Sequence, residues 1–346
     1  MPILVTGGTG YIGSHTCTQL LEEGYEIIIV DNLSNSKGEV VDRIQKITKK
    51  KVKFYEDDLC NQSKLQMIFS ENEIESVIHF AGLKAVGESV DSPLEYYNNN
   101  LVSTLNLLNC MKSYNVRNII FSSSATVYGD TQAGRAPSND CYPEFIPITE
   151  EFPLSITNPY GATKLMIEQM LKDIHHADPT MNIGILRYFN PVGSHASYLL
   201  GEDPKGMPNN LMPYILKVAA GELAYVNVYG ADYQTKDGTG VRDYLHVMDL
   251  ADGHIKVLES FAKNIGLAIY NLGTGIGYSV LDVIQCFEDT VGINIAYKIV
   301  GRRAGDIACC YANPAKAERE LNWKANKTLA DMCRDSWNWY KCQRTL

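Results

Sequence analysis

The chain has 346 residues, 45% of them hydrophobic and 21% charged, the balance of a well-cored globular protein with two domains or one large domain carrying insertions. A net charge of −9, with no basic run beyond Lys49-Lys50-Lys51, speaks against a nucleic-acid partner, and no apolar run reaches the ~18–20 residues of a membrane span. Nine scattered cysteines without a CxxC pair give no metal-site spacing and point to a reducing, cytoplasmic setting.

The N-terminus enters a buried strand at once, over Ile3-Leu4-Val5-Thr6, so no signal peptide is expected. Gly7-Gly8-Thr9-Gly10-Tyr11-Ile12-Gly13 follows, a G-x-x-G-x-x-G pattern that opens a helix with Ile12, Cys17, Leu20 and Leu21 inward and an end near Gly24. A second strand, Ile27 to Val30, is closed by Asp31. Gly7, Gly10 and Gly13 allow a tight turn and bring backbone N–H groups close to a pyrophosphate at the helix N-terminus. Asp31, 18 residues after Gly13, is placed to accept from a ribose 2′-OH and would repel a 2′-phosphate, which favours NAD over NADP.

A third strand over Val52 to Tyr55 ends in Asp57-Asp58-Leu59; Asp58 either faces an adenine or caps the next helix. A fourth, Val77 to Phe80, runs into Ala81-Gly82-Leu83-Lys84, where small residues let a ligand pass near the backbone and Lys84 reaches a phosphate or solvent. His79, inside the apolar run, reads as a satisfied core histidine. A long helical pattern from Pro93 to Tyr114 contains Asn98-Asn99-Asn100; three mid-helix amides do not suit a pure core role, and Asn99 is the candidate to point at a cofactor. The fifth strand, Asn118 to Phe121, ends in Ser122-Ser123-Ser124-Ala125-Thr126. Hydroxyls at such strand ends face the ligand crevice of an open parallel sheet. Residues 129–149 form a polar excursion with Pro137, Pro143 and Pro147.

Next comes Asn158-Pro159-Tyr160-Gly161-Ala162-Thr163-Lys164. Pro159 suits a first helical turn, with Thr157 or Asn158 as cap, and Tyr160 and Lys164 then share one face. A free phenol ionises near pH ~10; an ammonium one turn away favours the phenolate and makes the two a proton-transfer pair. The same spacing occurs on any amphipathic helix with an exposed lysine, so the pair takes its meaning from the rest of the chain. The sixth strand, Ile183 to Arg187, ends in Tyr188-Phe189-Asn190-Pro191.

Beyond Asn190 the alternation weakens, and residues 191–239 are rich in Gly, Pro, Asn and Tyr with one clear helix over Met212 to Ala220. Val241 to Val247 and Ile269 to Leu272 read as strands, Val280 to Val291 as a helix, 301–306 as a polar turn and the C-terminus as a Trp-bearing helix. The expected fold is α/β: a doubly wound parallel sheet (Rossmann) of six strands with a smaller mixed C-terminal substrate domain. Residues 1–190 form the NAD-binding domain, with a return segment near 240–272, and 191–346 the substrate-binding domain.

Ser124 with Tyr160 and Lys164 resembles the Ser/Tyr-x-x-x-Lys triad of the extended short-chain dehydrogenase/reductases. Phe121-Ser122-Ser123-Ser124-Ala125-Thr126-Val127-Tyr128-Gly129, Arg187-Tyr188-Phe189-Asn190, Pro208-Asn209-Asn210-Leu211-Met212-Pro213 and Asp237-Gly238-Thr239-Gly240-Val241-Arg242-Asp243-Tyr244 closely resemble the UDP-glucose (UDP-galactose) 4-epimerase family. The likeness runs nearly end to end and departs in 130–147, which is longer than in many bacterial members.

The resemblance implies that Tyr11 and Ile12, the loop Asp31-Asn32-Leu33-Ser34-Asn35-Ser36, Asp58 and Leu59, the stretch Phe80-Ala81-Gly82-Leu83-Lys84, Asn99 and Phe189 line NAD. It assigns the UDP-sugar to Asn190, Asn210, Leu211, the strand Asn227-Val228-Tyr229, Arg242 and the turn Arg303-Ala304-Gly305-Asp306. Two arginines suit a pyrophosphate, which guanidinium holds in a forked geometry. It further implies reversible oxidation at the sugar C4. Tyr160 as phenolate takes the 4-OH proton, Ser124 bonds the reacting oxygen, and Lys164 binds the nicotinamide ribose and helps lower the Tyr160 pKa. A 4-keto sugar then turns over while its UDP stays anchored. A homodimer through the two helices near 93–114 and 158–175 is part of the same expectation. In this family the position of Cys310 tends to be Tyr where substrates are restricted to glucose and galactose. A small residue there goes with acceptance of UDP-GlcNAc and UDP-GalNAc. A nucleotide-sugar 4,6-dehydratase needs an Asp-Glu pair after a Thr near Ser124, and Ala125-Thr126-Val127 offers no carboxylate. A non-enzymatic NAD sensor has no use for the triad.

Overall fold

The computed structural model describes residues 1–130, 146–206, 208, 210–303 and 305–345. Much of the 130–147 stretch, Asn209 and Ala304 therefore lie outside the described residues.

Strands β1 (Ile3–Thr6), β2 (Ile27–Asp31) and β3 (Lys53–Glu56) alternate with helices α1 (Tyr11–Glu22), α2 (Glu39–Thr48) and α3 (Gln62–Ser70). Then come β4 (Ser76–His79), α4 (Val86–Asp91), α5 (Pro93–Ser113), β5 (Asn118–Ser124), α6 (Pro159–Ala177) and β6 (Asn182–Tyr188). The short β7 (Asn190–Val192), α7 (Leu211–Ala219), β8 (Val226–Tyr229) and β9 (Val241–His246) lead to α8 (Val247–Ser260) and β10 (Leu267–Leu272). The chain closes with β11 (Gly277–Ser279), α9 (Val280–Val291), β12 (Tyr297–Val300), β13 (Cys309–Cys310), α10 (Ala315–Leu321) and α11 (Leu329–Thr345).

The main sheet is parallel throughout and has seven strands in the order β10-β6-β5-β4-β1-β2-β3, where the sequence pattern gives six. The added edge strand is β10, which pairs Ile269 with Ile185. It is delivered by α8, which packs on α1. The strand over 241–246 does not join this sheet; it pairs with β7, β11 and β13 in a smaller one. β8 and β12 form a separate ribbon.

The β-branched, unbroken strands explain the two-sided burial. Ile3, Val5, Ile29, Ile78 and Ile120 pack on one face, and Leu4, Ile28, Val30, Val77 and Ile119 on the other, the period-two alternation of a strand. A third apolar cluster joins α7, α9 and α11 through Ile215, Phe287 and Met332. A fourth, Val127, Tyr128, Ile148, Phe189, Cys310 and Ala312, lies where the sheet's C-terminal edge meets the second region. Among the described residues no helix is long and apolar enough to cross a membrane.

Candidate active site

The glycine turn is fixed by contact. Gly7 has φ +70°, and a Cβ there would lie 2.7 Å from the Ala81 amide nitrogen; a Cβ on Gly13 would lie 2.2 Å from the Gly7 carbonyl oxygen. Gly10 N-caps α1 with no side-chain hydrogen bond and no acidic residue in the first turn. The N–H groups of Tyr11, Ile12 and Gly13 are thus left to an anionic ligand. Asp31 ends β2 and accepts from Thr9 N (3.1 Å), Leu33 N (2.9 Å) and Ser36 Oγ (3.3 Å). One carboxylate therefore shapes the loop that carries Asn32, Leu33, Ser34, Asn35 and Ser36. These features fit a dinucleotide: the close-approach glycines, the side-chain-free helix start and the acid at the second strand end.

Asp58 does not cap the next helix, one of its two expected roles. It accepts from Asn32 Nδ2 (2.9 Å) and Cys60 N (2.7 Å), while Asn61 caps α3 by accepting from Lys64 N. The helix starts at Gln62, too late for Asp58 to cap it. Leu59 beside it is buried. Of the three amides in α5, Asn100 is the buried one. It accepts from Leu83 N (2.7 Å) and donates to Leu83 O (3.1 Å) and Thr163 Oγ1 (3.0 Å), so it ties the Phe80–Lys84 turn to α6. Asn99 is half-buried, and its side chain makes no hydrogen bond among the described residues. The signal for Asn100 was the spacing of Tyr96, Asn100, Ser103, Thr104 and Leu107, the buried stripe of α5. His79 bonds Thr6 (2.7 Å) and Thr104 (2.9 Å) and is held neutral by burial, its pKa lowered to about 3.

A strap over 199–206 crosses this side. Arg43 donates to Leu199 O (3.1 Å), Lys37 pairs with Asp203 (2.7 Å), and Lys205 Nζ donates to Leu33 O (2.6 Å). Glu202 accepts from Asn210 Nδ2 (2.7 Å) and faces the half-exposed Lys84 at 4.0 Å; burial raises its pKa against both partners. The strap and the glycine turn together line a cleft with Thr9, Tyr11, Ser36 and Lys84.

The triad stands at the C-terminal end of β5 and the first turns of α6. Asn158 caps α6, accepting from Gly161 N at 2.8 Å, with Pro159 in the first turn. Tyr160 and Lys164 are both buried. Lys164 Nζ donates to Ser122 O (2.7 Å) and lies 4.8 Å from the Phe121 ring centroid and 5.8 Å from that of Tyr160. Ser124, at the end of β5, accepts from Thr126 N (3.2 Å). Burial pushes Tyr160 up to about 12, opposed by Ser124; burial also pulls Lys164 down to about 8, opposed by Glu168. In the protein alone, then, the phenol is shifted opposite to the expected direction. The reason is desolvation of both partners, which sequence spacing does not disclose.

Glu168 and Arg187 form a fully buried bidentate pair behind the triad, with Nε–Oε1 at 2.9 Å and Nη2–Oε2 at 2.6 Å. Removing one partner of such a pair costs about 3–5 kcal/mol. Arg187 also donates to the Tyr128 hydroxyl (2.9 Å), which donates to Asn271 (2.7 Å).

On the other side of the crevice Asn190 pairs with Tyr244, and Cys310 stands opposite Arg242 in the β13–β9 register. Cys310 is buried with Phe189 and Val127. Its strand is pinned by the fully buried Asp243, which accepts from Ala312 N (3.1 Å), Thr274 N (2.8 Å) and Gly275 N (3.0 Å). Arg242 donates to its neighbour's carbonyl, Val241 O (2.8 Å). Asn227 and Tyr229 face outward on β8 and Val228 inward. Arg303 lies 5.4 Å from the Tyr229 ring and pairs with Asp306 at 3.0 Å; Gly305 between them has φ +80°. Leu211 opens α7 directly after Asn210. The buried Tyr233 hydroxyl has no hydrogen-bond partner among the described residues, and the Arg302 guanidinium lies 4.1 Å from its ring. Among the described residues no group of His, Cys, Asp and Glu could hold a metal ion.

A family profile described as GDP-mannose 4,6 dehydratase matches residues 4–336. The chain is 57% identical to the UDP-glucose 4-epimerase of Bacillus subtilis (strain 168), over 98% of this chain and 96% of that protein. It superposes on the UDP-glucose 4-epimerase of Bifidobacterium longum, solved with NAD+ and UDP, at a TM-score of 0.92 and 55% identity, covering 99% of each chain. For the Stenotrophomonas maltophila UDP-glucose 4-epimerase, solved with NAD and formylated UDP-arabinopyranose, the TM-score is 0.93 and the identity 46%, covering 100% of this chain and 99% of the other. The turn after Ser124, Ala125-Thr126-Val127, carries no acid. Coverage, identity and superposition agree: the chain belongs to the UDP-glucose 4-epimerase family, isomerases of the extended short-chain dehydrogenase/reductase type.

Proposed function

We propose that this protein interconverts UDP-glucose and UDP-galactose by reversible oxidation at C4 with NAD held throughout. The observation that carries the reading is the buried Tyr160 phenol with the Lys164 ammonium one helical turn away, 5.8 Å from its ring, beside Ser124 at the end of β5. NAD, when bound, supplies a reversible hydride acceptor. The free N–H groups at the start of α1 and the Asp31 loop would grip it, with Leu59, Phe80, Ala81, Gly82, Leu83, Lys84, Asn99 and Phe189 along its length. Tyr160 removes the proton from the sugar 4-OH, and Ser124 holds the same oxygen as the 4-keto sugar forms. Since burial raises the phenol in the protein alone, Tyr160 acts as a base only when positive charge is gathered beside it; Lys164 contributes part. Arg242 and Arg303 hold the diphosphate through forked hydrogen bonds, with Asn190, Asn210, Leu211 and the Asn227–Tyr229 strand around the nucleotide. Tyr160→Phe should lower turnover of UDP-galactose by about 10²–10⁴-fold while the purified protein keeps its nucleotide. Full turnover in that variant would end the reading.

Cys310 keeps the sugar pocket wide, and we read the substrate range as including UDP-GlcNAc and UDP-GalNAc. Lack of UDP-GalNAc turnover by the purified enzyme would sink that part. The apolar side chains left exposed on adjacent α4 and α5, Val90 at 60% and Leu94 at 81%, with Leu105 and Met166 further along α5 and α6, support a homodimer through these helices. A monomer by analytical ultracentrifugation at micromolar concentration would refute it. The eight described cysteines are all free, in keeping with a cytoplasmic setting; a secreted, oxidised form of the native protein would contradict it.

A further inference from the structure

Glu168 and Arg187 take no part in the steps above, yet they are the charged pair buried nearest the triad. Glu168 follows Lys164 by one turn on the same face of α6. Its Oε1 also accepts from Ser123 Oγ at 2.6 Å, and Ser123 is the neighbour of Ser122, whose carbonyl receives the Lys164 ammonium at 2.7 Å. With Arg187 clamping both oxygens, the carboxylate has one orientation. We propose that Glu168 is a positioning residue: it keeps Lys164 protonated and seated on the Ser122 carbonyl, so that a cation stands beside Tyr160. This rests on the roles given above to Tyr160 and Lys164.

Around Lys164, α4 packs on α6 and carries Glu88, whose carboxylate accepts from the Tyr96 hydroxyl at 2.7 Å. β4 offers His79, held neutral by burial and by the Lys164 charge itself. β5 offers the Ser122 carbonyl and the Phe121 ring. β6 offers Arg187 and Tyr188, and α5 offers Tyr96, whose phenols are both kept protonated. On α6 itself stand Tyr160, Glu168 and, a turn further, Lys172, whose Nζ is 3.8 Å from Glu168 Oε2. Burial drives Lys164 toward the neutral amine, and Glu168 opposes it.

The test is the pH profile of kcat for the NAD-holding enzyme, together with the ultraviolet phenolate absorbance of Tyr160, taken as the difference from Tyr160→Phe. Glu168→Gln should move the alkaline limb down by about one pH unit, raise the pH at which the Tyr160 phenolate forms, and leave bound nucleotide unchanged. Glu168→Asp, which keeps the charge, should return the limb most of the way. If Arg187 left alone prevents folding, Glu168→Gln/Arg187→Met removes both charges and should show the limb lowered by less than in Glu168→Gln, since a cation is lost with the carboxylate. Lys172→Gln, at a half-exposed position, takes a competing cation off the carboxylate and should move the limb slightly up. A limb and a phenolate titration that stay in place in Lys172→Gln and in the folded Glu168 variants overturn the proposal. Lys164→Met separates the two levels. If it abolishes turnover while Glu168→Gln changes nothing, only the Glu168 assignment fails; if it leaves turnover intact, the Lys164 reading fails and takes this one with it.

Discussion

The two walls of the crevice are built on different principles. On the cofactor wall the backbone is committed: a Cβ at Gly13 has no room, Asp31 accepts three hydrogen bonds, and Asn100 fastens both polar groups of Leu83. On the sugar wall, groups proposed to hold the UDP-sugar are paired within the protein, Arg303 with Asp306 and Asn210 with Glu202, and Tyr229 lies 41% exposed. A preorganised wall loses little entropy when it binds, which suits a cofactor that stays. A wall that must exchange its internal partners for a ligand's suits a substrate that comes, turns and leaves.

The difference is broken most completely at Gly13. Gly13→Ala should give protein without nucleotide and destabilise it by roughly 1–3 kcal/mol from overpacking. Nucleotide released by acid from the purified variant checks this, and a full complement of NAD would show that the turn has slack. Next in size is Cys310→Tyr. The new ring would enter a wall pinned through Asp243 and Ala312, so the pocket shrinks instead of the strand shifting. Turnover of UDP-GalNAc relative to UDP-galactose should fall by at least about tenfold, the low end of what lost pocket room is worth. An unchanged ratio means that Cys310 does not bound the sugar. The smallest effect is expected at the strap. Lys37–Asp203 is exposed on both sides, and such a pair contributes about 0–1 kcal/mol. Asp203→Ala should speed NAD loss, followed by dialysis, by no more than about fivefold. A loss as large as that of Gly13→Ala would move the grip from the turn to the strap.

The cofactor wall was also the legible one. Gly7, Gly10, Gly13 and Asp31 mark backbone demands that residue type alone reveals, and the helix over Val280–Val291 carried its own box in Ser279 and Asp282. α2 left no comparable mark, since it starts from Gly38 with no side-chain cap. β7, β11 and β13, of two or three residues each, are too short for an alternation to register. β10 was visible as a strand but not as the seventh of its sheet, because partnership across 84 residues, as between Ile185 and Ile269, is written in packing. The buried place of Asn100 and the direction in which burial shifts Tyr160 were hidden for the same reason: both depend on what is buried beside them.

The strap has a consequence for assembly. It joins Leu199, Asp203 and Lys205 to Arg43, Lys37 and Leu33, so the loop shaped by Asp31 gains its outer brace only after more than half of the chain has left the ribosome. A nascent chain ending before Leu199 should carry a formed glycine turn whose 33–43 flank is open to protease, and the full-length chain should not; equal cleavage of the two would remove that order of events.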